Sequence, residues 1–189
     1  KPAFAALPVA PLTLFRTTTT RSNDTAETLL KRLGLFDSAA AAYLRSNKEL
    51  HQSLLGRTGR LVSAETNGNL NLVKLTARWV NKDADNTFQR VIIEKTETGF
   101  VSSQVTVPLQ AAHALSSATI SSSLFAATDE AGIPDAVAVQ LAEIFSGQID
   151  FRRSLRKGDR LSVVYEDLQA DGESMRSGKV LSAEFVNNG

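Results

Sequence analysis

Residues 121–166 read SSSLFAATDEAGIPDAVAVQLAEIFSGQIDFRRSLRKGDRLSVVYE, and this stretch contains two helical patterns, a turn and a strand pattern. The first helix has one face made of residues three or four positions apart, which are Leu124, Ala127, Thr128 and Ala131. Gly132 is predicted to end that helix, because glycine adopts the left-handed closing conformation without steric cost.

A second helix is predicted to open at Pro134, whose missing N–H costs nothing in a first helical turn. Its buried stripe is expected to be Ile133, Val137, Leu141, Ile144 and Phe145. The core of the helix pair should include Phe125, Ile133, Leu141 and Phe145. After it, residues 157–159 form a turn and residues 160–166 a strand.

Several short runs in this stretch match a known family with their spacing kept: Ser123-Leu124-Phe125, Ala131-Gly132-Ile133-Pro134, Leu141, Ile144-Phe145, Ile149-Asp150-Phe151 and Arg156-Lys157-Gly158-Asp159. They resemble the domain that precedes the catalytic domain in Gram-negative peptidoglycan endopeptidases of the lysostaphin (LytM) type. The resemblance is strong from about residue 120 to the end and only compositional before that. It implies a modular periplasmic zinc peptidase that cuts peptide cross-links in the cell wall.

Composition narrows the classes of partner and chemistry. The net charge of +1 gives no general attraction to nucleic acid or anionic membranes, so we expect neither as a partner. The chain has no cysteine, which excludes disulfides, thiol catalysis and thiolate metal sites. No run approaches the roughly 18 apolar residues of a membrane span. Because the chain begins with lysine, we expect a mature or engineered piece, and the resemblance implies a membrane anchor that has been removed.

The predicted fold class is α+β, with two small units of 189 residues in total. Residues 1–20 are expected to be an extended linker, in which 14–20 form an edge strand. Residues 21–115 form a first unit and residues 116–189 a second unit that is truncated at its C-terminus. The boundary is placed in the small and polar stretch 108–117.

The first unit is predicted to begin with helices. Asp24 and Glu27 fit a capping box, Leu29, Leu30 and Leu33 share the following face, and Gly34 closes the helix. Asp37 or Ser38 caps a second, alanine-rich helix, and residues 48–54 favour a third short helix.

A meander of four strands follows these helices, at residues 60–65, 70–80, 87–95 and 100–107. Asn67-Gly68 is the strongest hairpin signal, since both central residues of a type I′ turn need a positive φ. Trp79, Phe88 and Ile92 are candidates for the buried face of the sheet.

The two halves repeat one plan. Leu155 to Leu161 lies 100 positions after Leu55 to Leu61, and each run follows amphipathic helices and enters a strand. This strand–helix–helix–strand plan is similar to the LysM fold, whose modules bind N-acetylglucosamine chains.

No catalytic or metal-binding residues are predicted within the chain. A catalytic zinc needs about three protein ligands, and the chain has two distant histidines, His51 and His113. Ser154 and Lys157 fit an S-x-x-K pattern, but its companion motifs are missing and Gly158 would break the helix. The family resemblance implies that zinc is bound in a downstream catalytic domain, which is the expected partner together with peptidoglycan.

Two charged groups are candidate contact residues. The basic group is read either as a solvated face or as an interface with an acidic neighbour, and it contains Arg152, Arg153, Arg156, Lys157 and Arg160. The acidic group lies near the turns of the first meander, where a carboxylate can reach a zinc ion in a facing cleft. Its members are Glu65, Asp83, Asp85 and Glu97.

These observations support two functional hypotheses. The first is a non-catalytic region that regulates or targets a periplasmic peptidoglycan DD-endopeptidase, either by covering its active site or by recruiting it. The second is a stand-alone glycan-binding protein with two LysM-like modules, which an exposed groove lined by Asn, Ser or aromatic residues would favour.

Overall fold

The computed structural model describes residues 10–82, 86–147 and 155–188. The chain divides into two compact units, of which the first ends at Val107 and the second begins at Pro108. Both units combine helices with an antiparallel sheet, which confirms the α+β class. No helix in the described ranges is long and apolar enough to cross a lipid bilayer.

The first unit contains five strands and three helices. They are β1 (Leu14–Thr19), α1 (Ala26–Arg32), α2 (Ser38–Ser46), α3 (Lys48–Leu54), β2 (Leu61–Thr66), β3 (Leu72–Trp79), β4 (Thr87–Thr96) and β5 (Gly99–Pro108). The sheet order is β1-β2-β3-β4-β5, so the predicted edge strand pairs with β2 beside the four-stranded meander.

The core of the first unit lies between the helices and one face of this sheet. Helix α1 contributes Leu29 and Leu30, and the sheet contributes Val62, Leu75 and Ile93, all fully buried. Burying such side chains stabilises the unit by about 1.5–3 kcal/mol each. The apolar residues that repeat with helix or strand periodicity therefore mark the side of each element that faces the core.

The second unit contains three strands and two helices. They are β6 (Gln110–Thr119), α4 (Leu124–Glu130), α5 (Asp135–Ser146), β7 (Arg160–Ala170) and β8 (Glu173–Val186), with sheet order β6-β7-β8. The core contains Val137, Leu141 and Phe145 from α5 and Leu161 and Val163 from β7.

Both units run from a strand through helices into a second strand, with three helices in the first unit and two in the second. Equivalent positions just before that second strand lie 99 rather than the predicted 100 residues apart. In the first unit Gly59 N–H donates to Thr20 O at 2.9 Å, and Thr20 N–H donates to Arg60 O at 2.9 Å. In the second unit Gly158 N–H donates to Ile120 O at 2.8 Å, and Ile120 N–H donates to Asp159 O at 2.7 Å. Arg60 and Asp159 therefore occupy the same backbone position in the two units.

The boundary prediction differs from the structure. The stretch 108–117, expected to link the units, lies mostly in β6, which pairs with β7 from Gln110↔Gln169 to Thr119↔Arg160. Its alanine-rich and serine-rich sequence has low intrinsic strand preference, and pairing with β7 overrides it. The second unit therefore starts before residue 116.

Two turn and cap predictions were wrong in detail. Thr25 rather than Asp24 caps α1, and its capping-box partner is Thr28 rather than Glu27. Asn67 and Gly68 do not have the positive φ values of a type I′ turn; the chain instead closes a longer loop, with Leu70 at φ 60° and Asn67 Oδ1 accepting from two backbone N–H groups.

Three side chains that were predicted to be buried are not in the core. Phe125 is 52% exposed and Ile144 is also exposed, because the inward stripes of the short helices are narrower than predicted. Ile92 is half-buried and Ile93 takes the core position, one residue along β4 and so on the opposite face.

Candidate functional site

A row of four side chains crosses the sheet of the first unit on the face that carries the helices. Trp79 pairs with Gln89 across β3 and β4, and Leu61 pairs with Arg78, which places Arg60 beside Trp79. Gln104 on β5 continues the row, since its Nε2 donates to Gln89 Oε1 at 3.2 Å. Arg60, directly before β2, thus lies in one line with Trp79, Gln89 and Gln104 on the next three strands.

Arg60 is held in place at both its backbone and its side chain. Its backbone N–H donates to Thr20 Oγ1 at 2.9 Å, which fixes the start of β2. Its guanidinium carbon lies 4.5 Å from the ring centroid of Trp79, and its Nε–H donates to Ser53 O at 3.3 Å. Stacking on an aromatic face and one hydrogen bond together set the plane of the guanidinium.

The amide side chains of the row are hydrogen-bonded to each other and to their neighbours. Gln89 Nε2 donates to Thr106 Oγ1 at 2.7 Å, and Ser53 Oγ donates to Gln104 Oε1 at 3.4 Å. These contacts orient both amides while leaving each with further donors or acceptors.

Helix α3 and the loop after it form the wall of a groove over this row. The groove has a volume of about 480 Å³ and opens to solvent. Its residues are Glu49, Gln52, Ser53, Arg57, Arg60, Trp79, Asn81, Gln89 and Gln104. Burial lowers the pKa of Arg60, and the positive charge of Arg57 lowers it further, so two cations are held together here.

Trp79 is part of the core rather than a surface for stacking sugars. It is 5% exposed and belongs to the buried cluster of the first unit, with Arg60 over its ring. A ligand in the groove therefore meets the guanidinium and the amides, while the indole supports them from below.

The second unit shows what the residues of the family resemblance do. Ser123 caps α4 by accepting from Ala126 N–H at 3.1 Å, and Gly132 ends it at φ 72°. Asp159 is buried and accepts from Arg156 N–H at 2.7 Å and Asn188 N–H at 2.8 Å. These two hydrogen bonds lower the pKa of Asp159, so the Arg-Lys-Gly-Asp run shapes a loop.

The predicted basic group lies in the second unit. Arg156, Lys157 and Arg160 are exposed, and Arg160 lines a small cleft with Glu130 near the end of α4. Arg152 and Arg153 lie outside the described residues, as do Ile149, Asp150 and Phe151 of the matching runs. The described part of this group stays a candidate interface.

Two members of the predicted acidic group, Glu65 and Glu97, lie in described parts of the first unit. Glu97 is exposed in the turn between β4 and β5, whereas Glu65 is half-buried within β2, where Phe15 and Lys74 are its register partners. Asp83 and Asp85 lie outside the described residues.

The two histidines lie in different surroundings. His51 is exposed on α3, and His113 lies in β6 opposite Glu166. In the described ranges, no three His, Asp or Glu side chains cluster in a way that could hold a metal ion.

Comparison with known proteins shows sequence similarity to a known enzyme. No family model matches the chain. Over 106 residues, 54% of the chain, it is 27% identical to the peptidoglycan DD-endopeptidase ShyC of Vibrio cholerae. The chain is thus similar to a peptidoglycan endopeptidase. This match spans 24% of the relative, so the chain corresponds to about a quarter of that enzyme's length.

Two solved structures share features with the chain at low sequence identity. A zinc-containing peptidase from Vibrio cholerae is 17% identical, with a TM-score of 0.42 over 92% of this chain and 52% of its own. Helicobacter pylori Csd3, in a hexagonal crystal, is 14% identical, with a TM-score of 0.45 over 70% of this chain and 35% of its own.

Sequence reasoning found Trp79 but missed the other members of the row. The signal that was available is the strand period, because Gln89 lies two and four positions before the buried Val91 and Ile93. Gln89 therefore points to the same face of β4 as these core residues. Because it lies close to the start of β4, it indicates that the buried face ends there and that a polar groove begins.

Proposed function

We propose that this chain is a non-catalytic region of a periplasmic peptidoglycan DD-endopeptidase, and that it regulates or targets a catalytic zinc domain found elsewhere in the same protein. The observation that carries the proposal is the 27% identity over 106 residues to a peptidoglycan DD-endopeptidase. The histidine content supports it, since two distant histidines and no cysteine are a poor ligand set for a catalytic zinc.

Occlusion of the active site is the proposed mode of regulation. A catalytic zinc keeps one coordination position for water or substrate, and a carboxylate can occupy it. Glu97 suits this role better than Glu65, because it is exposed at the tip of a turn between two long strands.

The test compares cell-wall digestion by the full-length parent, by a version lacking residues 1–107, and by Glu97→Ala. Occlusion predicts faster digestion after the deletion and an intermediate gain for Glu97→Ala. Glu65→Ala, a carboxylate within a strand, is the matched control and should change little. A rate that is unchanged or lower after the deletion would refute occlusion and favour targeting.

We further predict that the purified 189-residue chain has no peptidase activity and retains no zinc after dialysis. Two scattered histidines without thiolates cannot complete the usual ligand set. Elemental analysis checks the metal, and release of peptides from purified cell walls checks the activity. Stoichiometric, tetrahedrally coordinated zinc would contradict the prediction.

A second candidate function is a glycan-binding protein with two LysM-like modules. The repeated strand–helix–helix–strand plan and the polar groove of the first unit favour it. Sedimentation of the chain with intact cell walls, compared with walls stripped of their peptides, separates the two hypotheses. Equal binding to bare glycan supports the LysM-like alternative.

A further inference from the structure

We propose that the polar groove of the first unit binds a carboxylate group of the peptide stems of peptidoglycan. The choice of peptidoglycan as the source rests on the proposed function. The preference for a carboxylate rests on the groove itself, and chiefly on Arg60, Arg57 and the amides around them.

Among the described residues, two arginines and one glutamate line the groove, so positive charge is in excess. Arg57 and Arg60 both line it, and among the described residues neither forms an ion pair with a carboxylate. Glu49 also lines the groove but lies beyond ion-pair distance of both. Two cations held together, with no carboxylate of a described residue at ion-pair distance, favour the binding of an anion.

Arg60 is organised for such a ligand before it binds. Its plane is fixed by Trp79 and by the hydrogen bond to Ser53 O, so little side-chain freedom remains to be lost. No other described group bonds to its two terminal nitrogens, which are the atoms that grip a carboxylate in a bidentate pair.

The repeat shows that the fold does not require an arginine at this position. The equivalent residue in the second unit is Asp159, whose side chain accepts two backbone hydrogen bonds and so closes its own loop. In the first unit Thr20 Oγ1 secures the same backbone position, and the Arg60 side chain extends over Trp79 into the groove. The arginine is therefore available for recognition.

The surrounding amides fit the rest of a peptide stem. Gln52 and Asn81 are exposed at the rim, while Gln89 and Gln104 lie on the floor. Side-chain amides can both donate to and accept from peptide bonds, which repeat along such a ligand. A volume of about 480 Å³ is that of a small-ligand site, large enough for a few residues.

The experiment titrates the 189-residue chain with a soluble disaccharide–tetrapeptide that carries free carboxylates. Binding is followed by calorimetry and by the fluorescence of Trp79, the sole tryptophan of the chain. We expect saturable binding with a change in Trp79 emission, and weaker binding at high salt. The same compound with its carboxylates amidated, and a glycan without peptides, should both bind at least about tenfold more weakly.

Matched variants locate the site. Arg60→Gln and Arg57→Gln should each weaken binding by about 10-fold to 100-fold, the range for a lost charged hydrogen bond. Arg57 is exposed, so its loss leaves the core intact if Arg60→Gln impairs folding. Arg21→Gln makes the same charge change at an exposed position outside the groove and should leave binding unchanged.

Three results would overturn the proposal. The first is equal binding of the amidated compound, and the second is full binding by Arg57→Gln and Arg60→Gln. The third is a Trp79 response to a hexaglutamate peptide but not to the disaccharide–tetrapeptide, which would assign the groove to an acidic protein surface. These titrations use no catalytic domain, so a negative result would not refute the proposed regulation of a peptidase. A negative digestion test would likewise not refute carboxylate binding in the groove.

Discussion

At the scale of single residues, the pair Asp24–Arg32 secures the start of the first unit. Asp24 is buried and accepts from Arg21 N–H at 2.8 Å and from both terminal nitrogens of Arg32. Arg32 also donates to Thr19 O at 2.9 Å, so one ion pair joins α1 to β1. The hydrogen bonds from Arg32 are the main reason that the pKa of Asp24 falls from 3.8 to about 2.

We predict that Asp24→Asn lowers the free energy of unfolding of the first unit by about 1.5–3 kcal/mol at pH 7, the range for hydrogen bonds to charged groups. Because the folded-state pKa is depressed, this stability is present above pH 4 and is lost as the pH falls towards 2. Urea unfolding followed by Trp79 fluorescence at pH 7 and pH 2 measures it.

Glu97→Gln is the control for this change, since it neutralises an exposed carboxylate in the same unit. It should shift the unfolding midpoint very little. An Asp24→Asn protein that loses as much stability at pH 2 as at pH 7 would show that the loss comes from something other than the charge.

Gly158 is the residue of the Arg-Lys-Gly-Asp run that the loop needs for its backbone. Its φ is +94°, and a Cβ built there would lie 2.6 Å from Asn188 Nδ2. Gly158→Ala should therefore destabilise the second unit by about 1–3 kcal/mol, the cost of a side chain in such a backbone region. Urea unfolding followed by circular dichroism measures the change.

Gly147→Ala is the matched control, because Gly147 has φ −78° and no close side-chain neighbour. Alanine there is expected to be neutral or to stabilise by up to about 1 kcal/mol, through the unfolded state. If both variants behave alike, the conformation of Gly158 does not limit the stability of the loop.

At the scale of elements, α5 supplies a buried aromatic side chain, Phe145, to the second core. Phe145 is 6% exposed, and its ring centroid lies 5.7 Å from that of Phe185 on β8. Phe125 on α4 is also part of the family resemblance, yet it is 52% exposed beside a groove that contains Leu155.

We predict that Phe145→Ala costs about 3–5 kcal/mol, from lost transfer energy and the cavity left behind. Phe125→Ala should change the free energy of unfolding by less than about 0.5 kcal/mol, as is usual for surface positions. Circular dichroism in urea compares the two, and the denaturant slope should stay the same. Similar losses for both would place Phe125 in the core.

Elements with a strong local sequence pattern were predicted correctly. A strand that is defined mainly by its hydrogen bonds to a neighbouring strand was not. The glycines at 34 and 132 end helices as expected, with φ values of 71° and 72°. Strand β6 was missed because QAAHALSSAT has neither strand alternation nor many β-branched residues, and only its partner β7 defines it.

The hairpin signals show the same limit. Asn67-Gly68 has the favoured sequence but lies in a longer loop, whereas Asp171 and Gly172 have φ values of 51° and 86° and directly join β7 to β8. The sequence of a dipeptide determines which φ values it can adopt at low energy. The register of the two strands determines whether the turn between them requires those values.

The groove could not be predicted as a site, because it forms only when four strands align. Arg60 and Gln104 are 44 positions apart in sequence and have no local pattern in common. Their proximity follows from sheet order and register, which sequence periodicity does not specify.

At the scale of the whole molecule, the chain uses one plan twice and extends it in the first unit. In each unit, the strand before the helices pairs with the strand after them. Near the end of this pairing, a glycine and the residue after it form backbone hydrogen bonds with the residue that follows the first strand. The first unit adds α3, β4 and β5, which supply the wall and two of the four floor residues of the groove. Recognition is therefore expected in the added elements of the first unit.

The second unit begins at residue 108 and includes all of β6. Its core is complete within residues 108–189, and its central strand β7 has partners on both sides. A chain of about 80 residues with such a core is large enough to fold alone. We therefore expect the fragment 108–189 to unfold cooperatively in urea when followed by circular dichroism.

The fragment 116–189, which starts at the boundary suggested by the sequence, is the matched comparison. It lacks the part of β6 that pairs Gln110 with Gln169 through Leu115 with Val164, so half of β7 loses one neighbour. Unpaired backbone groups and an uncovered strand edge should lower its stability and favour aggregation. If the two fragments unfold at the same urea concentration, the first half of β6 contributes nothing to the second unit, and its pairing with β7 is incidental.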